Sequence, residues 1–158
     1  MFQKIRRYLL APLIALAVAL PAFGALQYSV TVNNGRLDSI ESTIGTAPIL
    51  RIRSGAAPAN CAAADSGTVL ATMTLPSDWM AAASSASKAL SGTWQDASAD
   101  ASGTAAHFRI YNSAGTTCHI QGTVTATGGG GDLTLDSATI GAGQTITITG
   151  FTLTTGNQ

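Results

Sequence analysis

The sequence predicts a mainly β domain: an antiparallel sandwich or jelly-roll-like fold of about seven strands with one N-terminal helix. Three observations carry this expectation. First, the stretch Gly103 to Thr125, GTAAHFRIYNSAGTTCHIQGTVT, alternates in period two on both sides of an Asn112-Ser113-Ala114-Gly115 turn. That is the pattern of a hairpin with one covered face. Second, short alternating runs bounded by glycine turns recur along most of the chain. Third, only 10% of residues are charged and 6% aromatic, while Ala, Gly, Ser and Thr dominate. Disordered chains pair high charge with low hydrophobicity, the reverse of this composition. A chain of 158 residues suits one domain, taken as residues 25–158, behind a short N-terminal appendage.

That appendage, residues 1–24, reads as a secretory signal. MFQKIRRY is basic, LLAPLIALAVAL is apolar, and Ala22-Phe23-Gly24 offers small residues for cleavage before Ala25. Two alternatives stay open. One is a membrane anchor, although Pro12 and Pro21 break the apolar run and it falls short of the roughly 20 residues a spanning helix needs. The other is a start codon assigned too far upstream. Without Lys4, Arg6 and Arg7, five basic residues stand against eight acidic ones. A weakly acidic body with no Lys/Arg cluster excludes a nucleic-acid binder, whose affinity comes largely from phosphate neutralisation.

The elements follow in order. From Ser29 to Gly45, Leu37, Ile40 and Ile44 keep helical spacing, with Asp38 and Glu41 on the opposite side and Gly45 as C-cap. Asn34-Gly35 is the competing hairpin signal. Residues 48–55 and 68–75 alternate as strands, separated by a loop from Gly55 to Gly67 that contains Cys61. Pro76 to Met80 is a turn capped by Ser77, and residues 81–87 are uninformative. Gly92 to Gln95 enters a strand on the large anchor Trp94. In the hairpin, Phe108 and Ile110 face one way, and His107, Arg109 and Tyr111 the other. After the turn Cys118, Ile120 and Val124 share a face, opposite His119, Gln121 and Thr123. Residues 132–136 and 145–154 form two further strands joined by the Gly141-Ala142-Gly143 turn. Trp94, Phe108, Ile110 and Ile120 are the expected core anchors.

Chemistry is harder to find. Cys61 and Cys118 form a candidate disulfide in an oxidising compartment; otherwise both are small buried residues, as a place for Cys118 beside Ile120 suggests. His107 and His119 share a predicted face, opposite Cys118, and no third ligand stands at recognisable spacing for zinc. No Gly-x-Ser-x-Gly elbow is present. Asp96 and Asp100 belong to a polar loop where carboxylates are ordinarily solvated, and Gly128 to Gly131 lacks the Lys-Ser/Thr and helix of a phosphate cradle. The residues therefore point to no catalytic site, no metal and no cofactor.

LRIRSGAAPANCAAADSGTVLATMTLPSDWM, SKALSGTWQDASADASGTAAHFRIYNSAGTTCHIQGTVT and DLTLDSATIGAGQTITITGFTLTTGN together resemble a family of small uncharacterised structural proteins from tailed bacteriophages and prophages. The resemblance spans residues 26–157. It implies a virion location, as a capsid decoration or a neck, tail or fibre component, with other virion proteins as partners and homo-oligomeric packing. Family members begin near Ala25-Leu26-Gln27-Tyr28, so residues 1–24 depart from the pattern. The alternative is a secreted or periplasmic β-sandwich that binds a ligand or surface, in the manner of adhesin-like and carbohydrate-binding modules. In either case a membrane is met only through an uncleaved leader.

Overall fold

A computed structural model describes residues 26–155 of the chain; the leader reading of residues 1–24 lies outside them. Helix α1 runs Val30–Ile44. Ser29 caps it, its Oγ accepting from the Val32 N–H at 3.3 Å, and Gly45 ends it at φ 87°, a conformation costly for any residue with a Cβ. The helix displaces the Asn34-Gly35 hairpin because the Leu37, Ile40 and Ile44 stripe has a core to meet. Leu37 and Ile44 are buried and Ile40 packs against the core. The expectation that Asp38 and Glu41 face away is corrected. Both accept ion pairs from the buried Lys88, at 2.8 and 2.9 Å, because the helix lies across a strand on that side as well.

Eleven strands are found among the described residues, where about seven were expected: β1 (Ile49–Arg53), β2 (Val69–Thr74), β3 (Ser87–Ala89), β4 (Trp94–Asp96), β5 (Gly103–Thr104), β6 (His107–Tyr111), β7 (Cys118–Ala126), β8 (Leu133–Leu135), β9 (Thr139–Ile140), β10 (Ile146–Ile148) and β11 (Thr152–Thr154). The excess consists of pieces two or three residues long, too short for period two to register. A curled five-stranded sheet has the order β2-β1-β6-β7-β8, and three two-stranded sheets pair β10 with β4, β11 with β3, and β5 with β9. All pairs are antiparallel except β7 with β8.

Two expected connections are overturned. The run 145–154 is not one strand. Ile146, Ile148 and Phe151 are all buried, and a straight strand would send residues 148 and 151 to opposite faces. The chain therefore bends at Thr149-Gly150 and changes partner. Nor does β8 form a hairpin with β10. It pairs parallel with β7, Val124 opposite Leu133, across a connection far shorter than the dozen or more residues such pairs ordinarily need. Gly128 and Gly130 at positive φ make that return possible, and Asp132 holds it by accepting from the Thr123 N–H and Oγ at 2.8 Å.

The core lies on one face of the large sheet. Leu50, Ile52, Ala71, Met73, Phe108, Ile110, Val124, Leu133 and Leu135 meet Trp79, Trp94, Ile146, Ile148 and Phe151. A chain of rings crosses it: Trp79 to Trp94 at 5.9 Å, Trp94 to Phe151 at 5.4 Å, and Phe151 edge-on to Phe108 at 5.7 Å, arrangements that suit the ring quadrupoles. Trp94, Phe108 and Ile110 are buried, whereas Ile120 is only partly so. The edge of β2 is covered rather than bare. The Thr72 N–H donates to Asp96 Oδ2 at 2.9 Å, and the Asp100 N–H donates to the Leu70 carbonyl at 2.8 Å. The uninformative run 81–87 holds a tight reversal with Ser85 and Ala86 at φ 51° and 57°. Asn34 of α1 secures it by accepting from the Ala86 N–H at 2.9 Å.

Candidate functional site

The face of the large sheet opposite the core carries most of the buried polar chemistry. Alternation along β1 and β6 turns Arg53, His107, Arg109 and Tyr111 outward. They are nevertheless buried, because the connection between β1 and β2, residues 54–68, folds back over them.

Asp65 is the centre of this lid. Its Oδ2 accepts from Arg53 Nη2 at 2.7 Å, while its Oδ1 accepts from Arg109 Nη1 and from the Tyr111 hydroxyl, the latter at 2.7 Å. Arg109 is 1% exposed and spends its Nη2 donors on the same lid. Nη2 reaches the carbonyls of Asn60, Cys61 and Ala63 at 3.2, 2.8 and 3.2 Å. Arg53 Nη1 donates to the carbonyls of Ser66 and Gly67 at 2.9 and 3.1 Å, and Gln121 donates to the Pro58 carbonyl at 2.8 Å. The planar guanidinium, with five donors in fixed directions, suits such multiple carbonyl contacts.

Cys61 and Cys118 are joined by a disulfide across the same lid, with Cα atoms 5.1 Å apart. This corrects the placement of Cys118 on the apolar face. The β6–β7 register pairs Ile110 with Ile120 but Tyr111 with Cys118, so His119 is the extra residue of a bulge. Beyond it the alternation is inverted, and Cys118 sits with Arg109 and Tyr111. Arg109 Nε donates to Cys118 Sγ at 3.3 Å. A cavity of about 290 Å³ opens here, lined by Cys61, Asp65, Arg109, Tyr111, Thr116 and Cys118 among others. At its border Arg51 stacks over the Tyr111 ring, 4.8 Å from the centroid, and donates to the Gly115 carbonyl at 3.3 Å.

The electrostatics agree with a closed ionic cluster. Burial pushes the Asp65 carboxyl up, but the Tyr111 hydroxyl and the two guanidiniums outweigh it and hold it below the usual range. Burial, then the hydrogen bond to Asp65, raises the Tyr111 hydroxyl. Burial lowers His107 below its ordinary value, so the ring is neutral at pH 7. One ring nitrogen lies 3.1 Å from the Gly55 carbonyl.

The histidines do not come together. His107 lies opposite Thr123, four residues along β7 from His119, which is exposed; that is roughly 13 Å along a strand. Among the described residues no group of three or more His, Cys, Asp or Glu side chains is placed to hold a metal. Asp96 and Asp100 both bond Thr72, at 2.9 and 2.8 Å, as part of the β2 edge cover.

A second polar centre escaped the sequence reading. Lys88, the middle residue of β3, is 2% exposed and reaches α1, donating also to the Ala81 carbonyl at 2.9 Å. Burial lowers its pKa, but Asp38 and Glu41 more than reverse this and raise it above the ordinary lysine value. A cavity of about 500 Å³ lined by Asp38, Glu41, Asp78 and Lys88 among others borders it. The spacing of Asp38 and Glu41, one helical turn apart, was the available signal; the partner strand was too short to be recognised. Compared with known proteins, the chain matches no protein-family model, no curated protein and no solved structure.

Proposed function

We propose that this chain is a non-enzymatic structural subunit of a bacteriophage or prophage virion, packing on the capsid, neck or tail against other virion proteins and copies of itself. In this reading the five-stranded sheet is one layer of a β-sandwich, and the small sheets over its apolar face make the other. One observation carries the proposal beyond the textual resemblance. Leu26, Tyr28, Val30 and Val32 are 68%, 37%, 47% and 47% exposed at the start of α1, an apolar group on a domain whose other large apolar side chains are mostly inside. Such a group suits burial against a neighbouring subunit. Each buried cation, Lys88 and the two arginines on Asp65, has a carboxylate partner within the fold, and so serves the fold rather than a substrate.

The disulfide favours a second reading, an exported binding module, because such bonds persist in oxidising compartments. Its weakness is the aromatic supply. Trp79, Trp94, Phe108, Tyr111 and Phe151 are all buried, leaving none of them to stack on a sugar or surface. Mass spectrometry of gradient-purified phage particles decides between the two. The virion reading expects this chain in the particle at a fixed copy number. Its absence there, with recovery of an exported monomer beginning at Ala25, would overturn the reading in favour of the module.

A further inference from the structure

We propose that the Cys61–Cys118 disulfide is a thiol-exchange site, at which a small external thiol takes Cys61 and Cys118 departs as a thiolate. The inference does not depend on the virion reading. Three observations combine. Both cysteines are partly exposed and line the 290 Å³ cavity, so a small thiol can reach them. The two sulfurs are inequivalent: Arg109 Nε donates to Cys118 Sγ at 3.3 Å, whereas Cys61 meets Arg109 through its backbone carbonyl. Finally, Arg53 and Arg109 converge on the single carboxylate of Asp65, and Arg51 adds a third cation at the cavity border. The site therefore holds an excess of positive charge while the disulfide is intact. A thiolate at Cys118 offsets one unit of it.

The step balances without a further oxidant. The incoming thiolate attacks Cys61 Sγ, and a new S–S bond forms between them. The Cys61–Cys118 bond breaks, leaving its electron pair on Cys118. One thiolate is consumed and one produced. Attack runs in this sense because exchange is faster when the leaving sulfur is the better-stabilised anion, and a neighbouring guanidinium supplies that stabilisation. After exchange, Arg109 still grips the carbonyls of Asn60, Cys61 and Ala63, and Asp65 still anchors the lid. The Cys61 adduct is thus held close to Cys118, which can expel it by the reverse step. The chemistry is reversible capping by a thiol of the glutathione or cysteine class.

The test uses the oxidised full chain with limiting reduced glutathione at neutral pH, quenched in acid and mapped by peptide mass spectrometry. The expected adduct is on Cys61, with Cys118 free. In the fully reduced folded protein, the Arg109 guanidinium beside Cys118 favours its thiolate, the reactive form, over that of Cys61. Lower intrinsic nucleophilicity offsets part of this, leaving alkylation of Cys118 about threefold faster than that of Cys61. Both preferences should vanish in concentrated urea. An adduct mainly on Cys118, equal alkylation rates in the folded protein, or a preference that survives in urea would each overturn the proposal.

Discussion

Replacing Asp65 with Asn tests whether the lid is held by its ionic cluster. The substitution preserves size but exchanges one carboxylate oxygen for an N–H₂ group. Whichever way the amide turns, that group confronts donors: Arg53 on the Oδ2 side, or Arg109 and Tyr111 on the Oδ1 side. At least one charge-assisted hydrogen bond is lost, worth about 1.5–3 kcal/mol. Two guanidiniums, with side chains 8% and 1% exposed, are also left without a counter-charge. Breaking a fully buried pair costs about 3–5 kcal/mol, but the Asp65 side chain is 34% exposed and water screens part of the interaction. The expected loss is about 2 kcal/mol, or roughly 7 °C in Tm for a domain of about 130 residues. The assay is thermal unfolding by circular dichroism with the disulfide intact, repeated from pH 7 down to pH 2. The Asp65 carboxyl lies below its usual range in the folded protein, so its contribution is complete above the unfolded value of about 3.9 and fades as pH falls through the folded one. The wild-type and variant curves should run parallel above pH ~4 and converge below it. A loss under about 0.5 kcal/mol at pH 7, or a gap that does not narrow as pH falls below about 4, would refute the reasoning.

Other expectations follow from single contacts. Lys88→Met should destabilise by about 1–2 kcal/mol, since Asp38 and Glu41 lose their partner but can still reach water. The Lys88 pKa is raised in the folded state, so the wild type keeps this contribution below about pH 10.4 and loses it as pH rises through the folded value; urea titrations from pH 8 to 11.5 should show the difference narrowing. Gly67→Ala drives a Cβ into the Ser54 carbonyl oxygen at φ 68°, and a cost of about 3 kcal/mol is expected by denaturant melts. Ser85→Asn should stabilise by about 0.5 kcal/mol, because Ser85 is exposed at φ 51° and asparagine tolerates that conformation better; unchanged or lowered stability in the same melts would count against strain there.

Long regular segments were legible from local signals. The spacing of Leu37, Ile40 and Ile44, and Gly45 at the end, placed α1. Alternation placed β1, β2 and the β6–β7 hairpin. What failed was pairing beyond the hairpin, since β3, β4, β5, β9, β10 and β11 are each only two or three residues long. For such pieces the core decides. Phe151 is drawn inward to meet Trp94 and Phe108, which breaks a run whose alternation alone reads as continuous.

Two single-residue insertions account for the misread faces. Along β2, Ile52 pairs with Ala71 and Arg53 with Val69, so Leu70 is extra. It is fully buried, although strict alternation would set it opposite Ala71 and Met73. Along β7 the extra residue is His119. Both bulges lie beside the lid, one at the β1 end that launches it and one at the Cys118 end that receives it. The second decides the chemistry of the site. An unbroken β7 would keep Cys118 with Ile120 toward the core, while Cys61 lies over the opposite face, so no disulfide could close. Burial among apolar residues and a disulfide to Cys61 are therefore mutually exclusive for Cys118. The oxidation state of this one sulfur carries the information about register that periodicity could not. Because the bulge also brings Cys118 beside Arg109, the irregularity that hid the site is what makes its two sulfurs chemically different.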